Sequence, residues 1–406
     1  MKKWVLSGAA ILNPDDTSEK VNIQIENGRI TLVSKKEISS SINITTRGII
    51  SAGLINAHDH LLGNYYPKVG TGNYVNWLPW DNDLKSSPLY QERSQIENRD
   101  LYMLAAYKNL ISGVTVVSDH MPHFVAEPYY DILPVKAIRE YTLAHSVNSF
   151  ALKWGDDIDK EYKQAVELDI PFITHVSEGF DSETEQDIVT LDRKGGLGDH
   201  SVLIHCLAFS ESDMDLVKKR GATVVWCGDS NIFMYNRTAK IKEMLERKIN
   251  ICIGTDSPMS GGENLLYEMK FDKKLYKKLY GEELPDETIY RMVTVNPAKG
   301  FRLYDSGTIK DGNIADFVVV KDRGGSYINS VVSANLKDIM LVVINGLPAY
   351  GDIEFAELFD SLNVQYQEVV MDGVEKVIIG DLKGLLKRIS RAVGFKKEFP
   401  FMPVEF

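Results

Sequence analysis

The stretch Gly48-Ile49-Ile50-Ser51-Ala52-Gly53-Leu54-Ile55-Asn56-Ala57-His58-Asp59-His60 decides the fold. It is an apolar, β-branched run that stops on two histidines two residues apart. Side chains at i and i+2 of a strand share a face, so both imidazoles can converge on one metal ion. Taken alone, the pair reads as well as two ordinary polar residues at a strand end. Three later runs repeat the pattern: Ile170-Pro171-Phe172-Ile173-Thr174-His175, Val202-Leu203-Ile204-His205, and Ile249-Asn250-Ile251-Cys252-Ile253-Gly254-Thr255-Asp256, which ends in a carboxylate. A lone histidine closing an apolar strand is more often structural than a ligand. Four such ends in one chain argue for a shared site, because the C-terminal strand ends of a closed parallel barrel lie on one face. The sequence therefore predicts an α/β protein, a (β/α)8 TIM-like barrel, with candidate ligands at those ends.

Working outward, the hydrophobic period changes twice. Residues 1–50 and 307–350 read as short alternating strands with turns, and 51–306 alternate strands with helices. The two β-rich ends are expected to pack into one small discontinuous β-sandwich domain around the barrel, with 351–406 as a C-terminal extension packing on either. Within the barrel, 112–119 reads as the second strand, 149–154 as the fourth and 156–168 as a helix. That spacing leaves the third strand without an obvious place. Near the end, 382–393 reads as an amphipathic helix whose Lys387, Arg388 and Arg391 form a solvated basic face.

With 46 basic and 57 acidic residues the net charge is -11, and no basic stripe is available to track a phosphate backbone. Nucleic acid is excluded as a partner. A composition of 44% hydrophobic and 25% charged residues in 406 is ordinary for a soluble globular enzyme, and no apolar run is long enough to span a membrane. The start, Met1-Lys2-Lys3 before an apolar run, imitates a secretory signal but has no small-residue cleavage site before Asn13-Pro14. The three cysteines, Cys206, Cys227 and Cys252, form no paired motif and fall in core strands, so the expected setting is a reducing cytoplasm. Assembly into a homo-oligomer is left open.

The motifs GLINAHDH at 53–60, THVSEG at 174–179, LIHC at 203–206, GTDSP at 254–258 and NPAKGFRLYDSGTIKDGNIADFVVV at 296–320 carry a resemblance. With them the chain resembles the amidohydrolase superfamily, within it the cytosine deaminase and chlorohydrolase-like branch of metal-dependent hydrolases. The resemblance covers most of residues 1–350. It implies that His58, His60, His175 and Asp256 bind one divalent metal, Zn or Fe, that His205 stands beside the activated water, and that Glu178 carries protons to and from the substrate. Asp256 is then both ligand and proton acceptor.

These residue types suit hydrolysis of a C–N bond. Three imidazoles and one carboxylate leave a cation with net positive charge and room for a water whose pKa falls towards about 7. A carboxylic acid kept protonated in a dry pocket can protonate a ring nitrogen and then the leaving amine. Deamination of a small cyclic or aromatic amine follows. Two alternatives remain: a binuclear cyclic amidase or peptidase built on a carboxylated Lys153, and a catalytically silent barrel with a binding role. Substrate contacts are expected from the long connection 61–89, with Asn64, Tyr65, Trp77 and Trp80, from His120 after the second strand beside Asp119 and His123, and from Trp226 and Asp229 after the seventh. Lysines at strand ends also reach solvent by default, and aromatic residues in a long loop also pack it down.

Overall fold

The computed structural model describes residues 3–405; Met1 and Lys2, which open the signal-like stretch, lie outside the described residues. From Trp4 the chain forms a strand, Trp4–Leu12, paired antiparallel with Thr17–Glu26. The latter turns back into Arg29–Ser34 through Asn27 and Gly28, both at positive φ, the backbone a tight hairpin turn requires.

Eight parallel strands form the barrel: Leu54–Asp59, Val114–Asp119, Lys136–Ala137, Thr142–Ser146, Phe172–Val176, Ser201–His205, Thr223–Trp226 and Asn250–Ile253. The fourth to the eighth make one continuous ladder and the first three another. The eighth meets the first through Asp256, whose backbone N–H donates to the His58 carbonyl at 3.0 Å and whose carbonyl accepts from His60 at 3.2 Å. Among the described residues no ladder joins the third strand to the fourth. The barrel interior is packed by Ile55, Ala57, Val116, Leu143, Ile173, Val202, Ile204, Val225 and Cys252.

The strand expected at 149–154 is not there. The fourth strand is Thr142–Ser146, set by pairing of Thr142 and Leu143 with Phe172 and Ile173, and residues 149–154 form an irregular turn after it. The third strand, which had no place beside a fourth at 149–154, is a two-residue element that reaches the fourth without an intervening helix. The helix Ile158–Leu168 then leads into the fifth strand.

One eleven-stranded sheet flanks the barrel. Its centre pairs Ile49–Ala52 with Phe317–Val320, and the segment beyond residue 350 extends it through Tyr366–Met371, Val374–Ile379 and Val404–Glu405. Trp4, Ile23, Phe317, Val319, Leu341 and Phe359 fill a core of its own beneath it. The helix Leu382–Val393 packs on Asn98–Ile111, where Arg388 grips Asp100 with its guanidinium at 3.0–3.1 Å, so the basic face is partly a docking contact rather than wholly solvated. No helix among the described residues is long and apolar enough to cross a membrane.

Candidate active site

At the C-terminal ends of the fifth, sixth and eighth strands the backbone bends sharply. Ser177, His205, Cys206 and Asp256 all adopt positive φ, between 51° and 72°, a region that side-chain-bearing residues rarely enter. Local strain of this kind persists where the surroundings over-determine it, and it gathers at functional sites.

Four of the five strand-end candidates converge closely. The His58 and His60 rings lie 4.7 Å apart by centroid, and Asp256 Oδ1 is 3.7 Å from His58 Nε2 and 3.6 Å from His60 Nε2. Asp256 Oδ2 accepts from the hydroxyls of Ser230 and Ser260, each at 2.6 Å, which leaves Oδ1 towards the histidines. The His175 ring is 5.2 Å from that of His58 and 5.5 Å from that of His60. Its Nδ1 donates to the His145 carbonyl at 2.7 Å, so Nε2 carries the lone pair. Ligating atoms within 4.8 Å of one another form three overlapping sets: His58, His60 and Asp256; His58, His120 and His175; and His175, Glu178 and His205.

These residues fit a divalent cation. His58 is fully buried, yet neither of its ring nitrogens has a hydrogen-bond partner among the described residues, an arrangement that costs free energy unless a cation takes the lone pair. Burial, first of all, pushes the pKa values of His58, His60 and His175 down, which keeps them in the neutral form that ligates metals.

Beneath the two first-strand histidines, Asp59 faces the other way. It accepts from the buried Lys108 Nζ at 2.8 Å, from Asn109 at 3.0 Å and from Asn64 at 2.9 Å. Asn56 ties this network to the eighth strand through Thr255 Oγ1 at 2.9 Å. The orientation of the HxH pair thus depends on a buried ion pair whose further partners are side-chain amides.

Glu178 stands opposite, buried, with Oε1 accepting from the Tyr235 hydroxyl at 2.8 Å and lying 3.5 Å from His205 Nε2. Burial raises its pKa, with Asp256 adding to the rise and His205 opposing it. His205 Nδ1 pairs with Asn231 Oδ1 at 2.9 Å. Since that amide oxygen accepts only, Nδ1 holds a hydrogen and Nε2 donates only when the ring is charged. Gly179 follows Glu178 at φ 155°, where a Cβ would strike the Val75 carbonyl at 2.7 Å. That close approach lets Phe180 N donate to Val75 O at 2.8 Å and clasps the long connection over the mouth.

The substrate candidates divide. Trp77 and His120 border the site: the Trp77 ring is 4.6 Å from His145 and the His120 ring 4.5 Å from His175. Asn64 is committed to Asp59, Tyr65 to Glu92 and the Phe399 ring, and Trp80 to the Val69 carbonyl. Trp226 lies in the layer between barrel and helices with its indole on Thr238, and Asp229 holds Lys68 at 2.7 Å. Lys153 is exposed in the turn after the fourth strand. The connection 61–89 is half helical, with Trp77–Ser86 capped by Asn76.

Sequence reasoning passed over His145, which stands one residue before the end of its strand, and Tyr235 and Ser260, which carry no motif. Burial lowers the His145 pKa to about 3, and its ring sits between Trp77 and Trp154.

Residues 156–349 match the amidohydrolase family. Over 196 residues the chain is 32% identical to a 5-methylthioadenosine/S-adenosylhomocysteine deaminase of Syntrophobacter fumaroxidans, an alignment that spans 44% of each chain. It is 27% identical to a 5'-deoxyadenosine deaminase of Methanopyrus kandleri over 85% of this chain and 93% of that one. Its fold is similar to that of the atrazine chlorohydrolase TrzN from Arthrobacter aurescens, solved with zinc, with a TM-score of 0.78 at 16% identity over 96% of this chain and all of that one.

Proposed function

We propose that the chain is a member of the amidohydrolase superfamily, as the match over residues 156–349 and the full-length likeness to a deaminase support, and that it is a metal-dependent C–N hydrolase that deaminates a small cyclic or aromatic amine. The observation that carries the reading is Glu178: a buried carboxyl, held by Tyr235 and 3.5 Å from His205 Nε2, beside the imidazole and carboxylate cluster. A silent barrel would have no use for a buried acid at that position. The names of the relatives support an amino-purine nucleoside as the first class of substrate to try, and the zinc in the TrzN structure supports zinc over iron. Exposure of Lys153 disfavours the binuclear alternative.

His58, His60, His175 and Asp256 would hold the ion. When bound, a divalent cation supplies Lewis acidity that makes water acidic enough to attack an electrophilic carbon near neutral pH. Asp256, whose carboxylate is oriented by the Ser230 and Ser260 hydroxyls on Oδ2, would take up the water's proton. Glu178 Oε1 accepts from Tyr235, so Oε2 bears the proton that goes to the ring nitrogen and afterwards to the departing amine. His205 and Glu178 share one transferable proton: a neutral acid beside a neutral ring, or a carboxylate beside an imidazolium that donates to developing negative charge. Tyr235 and Asn231 fix which atoms of the pair face the reaction.

Ammonia release from a panel of amino-substituted rings, with adenine nucleosides included, tests the reading. Glu178→Gln keeps shape and metal but cannot shuttle a proton, so kcat falls about 10²- to 10⁴-fold with metal content unchanged. Near-normal kcat in that variant would remove Glu178 as proton carrier.

A further inference from the structure

We propose that His120 is a further ligand of the divalent ion and that it binds through Nδ1. The inference rests on the metal-dependent reading above but concerns a residue outside the ligand set that the motifs imply. His120 follows the second strand, its backbone N–H donating to the Asp59 carbonyl at 3.2 Å. Its Nε2 lies 3.0 Å from the Ala144 carbonyl oxygen on the fourth strand. A carbonyl oxygen only accepts, so Nε2 carries the hydrogen and the neutral ring leaves a bare lone pair on Nδ1. That nitrogen is buried and has no hydrogen-bond partner among the described residues.

Its neighbours are other imidazoles. The ring is 4.5 Å from His175, 5.8 Å from His58 and 6.1 Å from His60 by centroid. One ligating nitrogen from each of His58, His120 and His175 lies within 4.8 Å of the other two. His175 has its own hydrogen committed to the His145 carbonyl and so presents a lone pair as well, while His58 donates to nothing. Lone pairs gathered without a donor repel one another and are stranded from water. A cation among them relieves both costs. The ion is then bound by four imidazoles and Asp256, a donor set that favours borderline metals such as zinc, iron or cobalt over magnesium or calcium.

Cadmium-113 loaded into full-length protein labelled with ¹⁵N-histidine gives a direct test, because metal-bound nitrogens show spin coupling to the ion. His175 and His205 have Nδ1 committed to protein acceptors, and His58 and His60 direct Nε2 towards Asp256, so a cadmium-coupled Nδ1 is expected of His120. One cadmium-coupled Nδ1 in the wild type is the expected result. Its loss in His120→Asn, with affinity for zinc lowered about tenfold or more in chelator competition, accompanies it. If that variant does not fold, assignment of the coupled Nδ1 to the His120 ring in the wild type decides, and its assignment to any other ring would overturn the proposal. Coupling at Nε2 nitrogens only, or unchanged zinc affinity in folded His120→Asn, would overturn the assignment while leaving the metal site intact. Failure of the wild type to retain any ion would overturn both.

Discussion

The barrel is closed in two different ways on its two sides. Where the eighth strand meets the first, backbone hydrogen bonds between Asp256 and both His58 and His60, and the Asn56 amide on Thr255, make a tight seam. Between the third and fourth strands no ladder forms among the described residues, and histidines that follow the second strand reach across towards the fourth instead: His120 to the Ala144 carbonyl at 3.0 Å, and His123 to the carbonyl of Tyr141, just before that strand, at 2.8 Å. The tight side presents ligands from an unbroken backbone pattern. On the loose side the same side chains that could serve chemistry also hold strands together, so function and cohesion are coupled there.

The comparison breaks first on the tight side. Asp256→Asn removes a charged ligand and the proton acceptor together, so kcat should fall by about 10⁴-fold and elemental analysis should show lost metal. Full metal content in this variant would detach Asp256 from the ligand set. Next comes the support beneath the seam: Lys108→Met leaves Asp59 buried and unpaired, at a cost of about 3–5 kcal/mol in denaturant unfolding. Adding Asp59→Asn should recover a large part, and absence of recovery would mean the pair is not what orders the first strand. Smallest is the loose side. His123→Phe keeps the ring stacked on Tyr141 but deletes one hydrogen bond, an expected loss of about 1 kcal/mol without change in metal content. A loss several times larger would show that the side-chain stitch holds the barrel shut.

Legibility follows the same division. His58, His60, His175, His205 and Asp256 end apolar runs long enough to read as buried strands, so position along the chain announced a common face. The fourth strand, Thr142–Ser146, is five residues with Thr, His and Ser among them, and its neighbour on one side is missing. The more apolar 149–154 therefore outcompeted it on pattern alone. Tyr235, Ser230 and Asn231 lie on one short helix, Gly228–Tyr235, and reach Glu178, Asp256 and His205 respectively only because the seventh strand aims that helix across the mouth. No local spacing encodes such contacts. The aromatic residues of 61–89 were readable as aromatic but not as structural, since only the packed loop shows Tyr65 and Trp80 turned from the site.

The strand that enters the barrel, Ile49–Ala52, and the strand that leaves it, Phe317–Val320, pair side by side at the centre of the eleven-stranded sheet. For a chain in the act of folding, this pairing is among the most remote in sequence and hence among the slowest to find, because the entropy of closing so large a loop must be met before any contact rewards it. A molecule caught before that step would carry two bare, Val- and Ile-rich strand edges, the surface on which chains join one another instead of themselves. Recovery of this protein from denaturant should accordingly be limited by aggregation at a stage when much of the barrel has already formed.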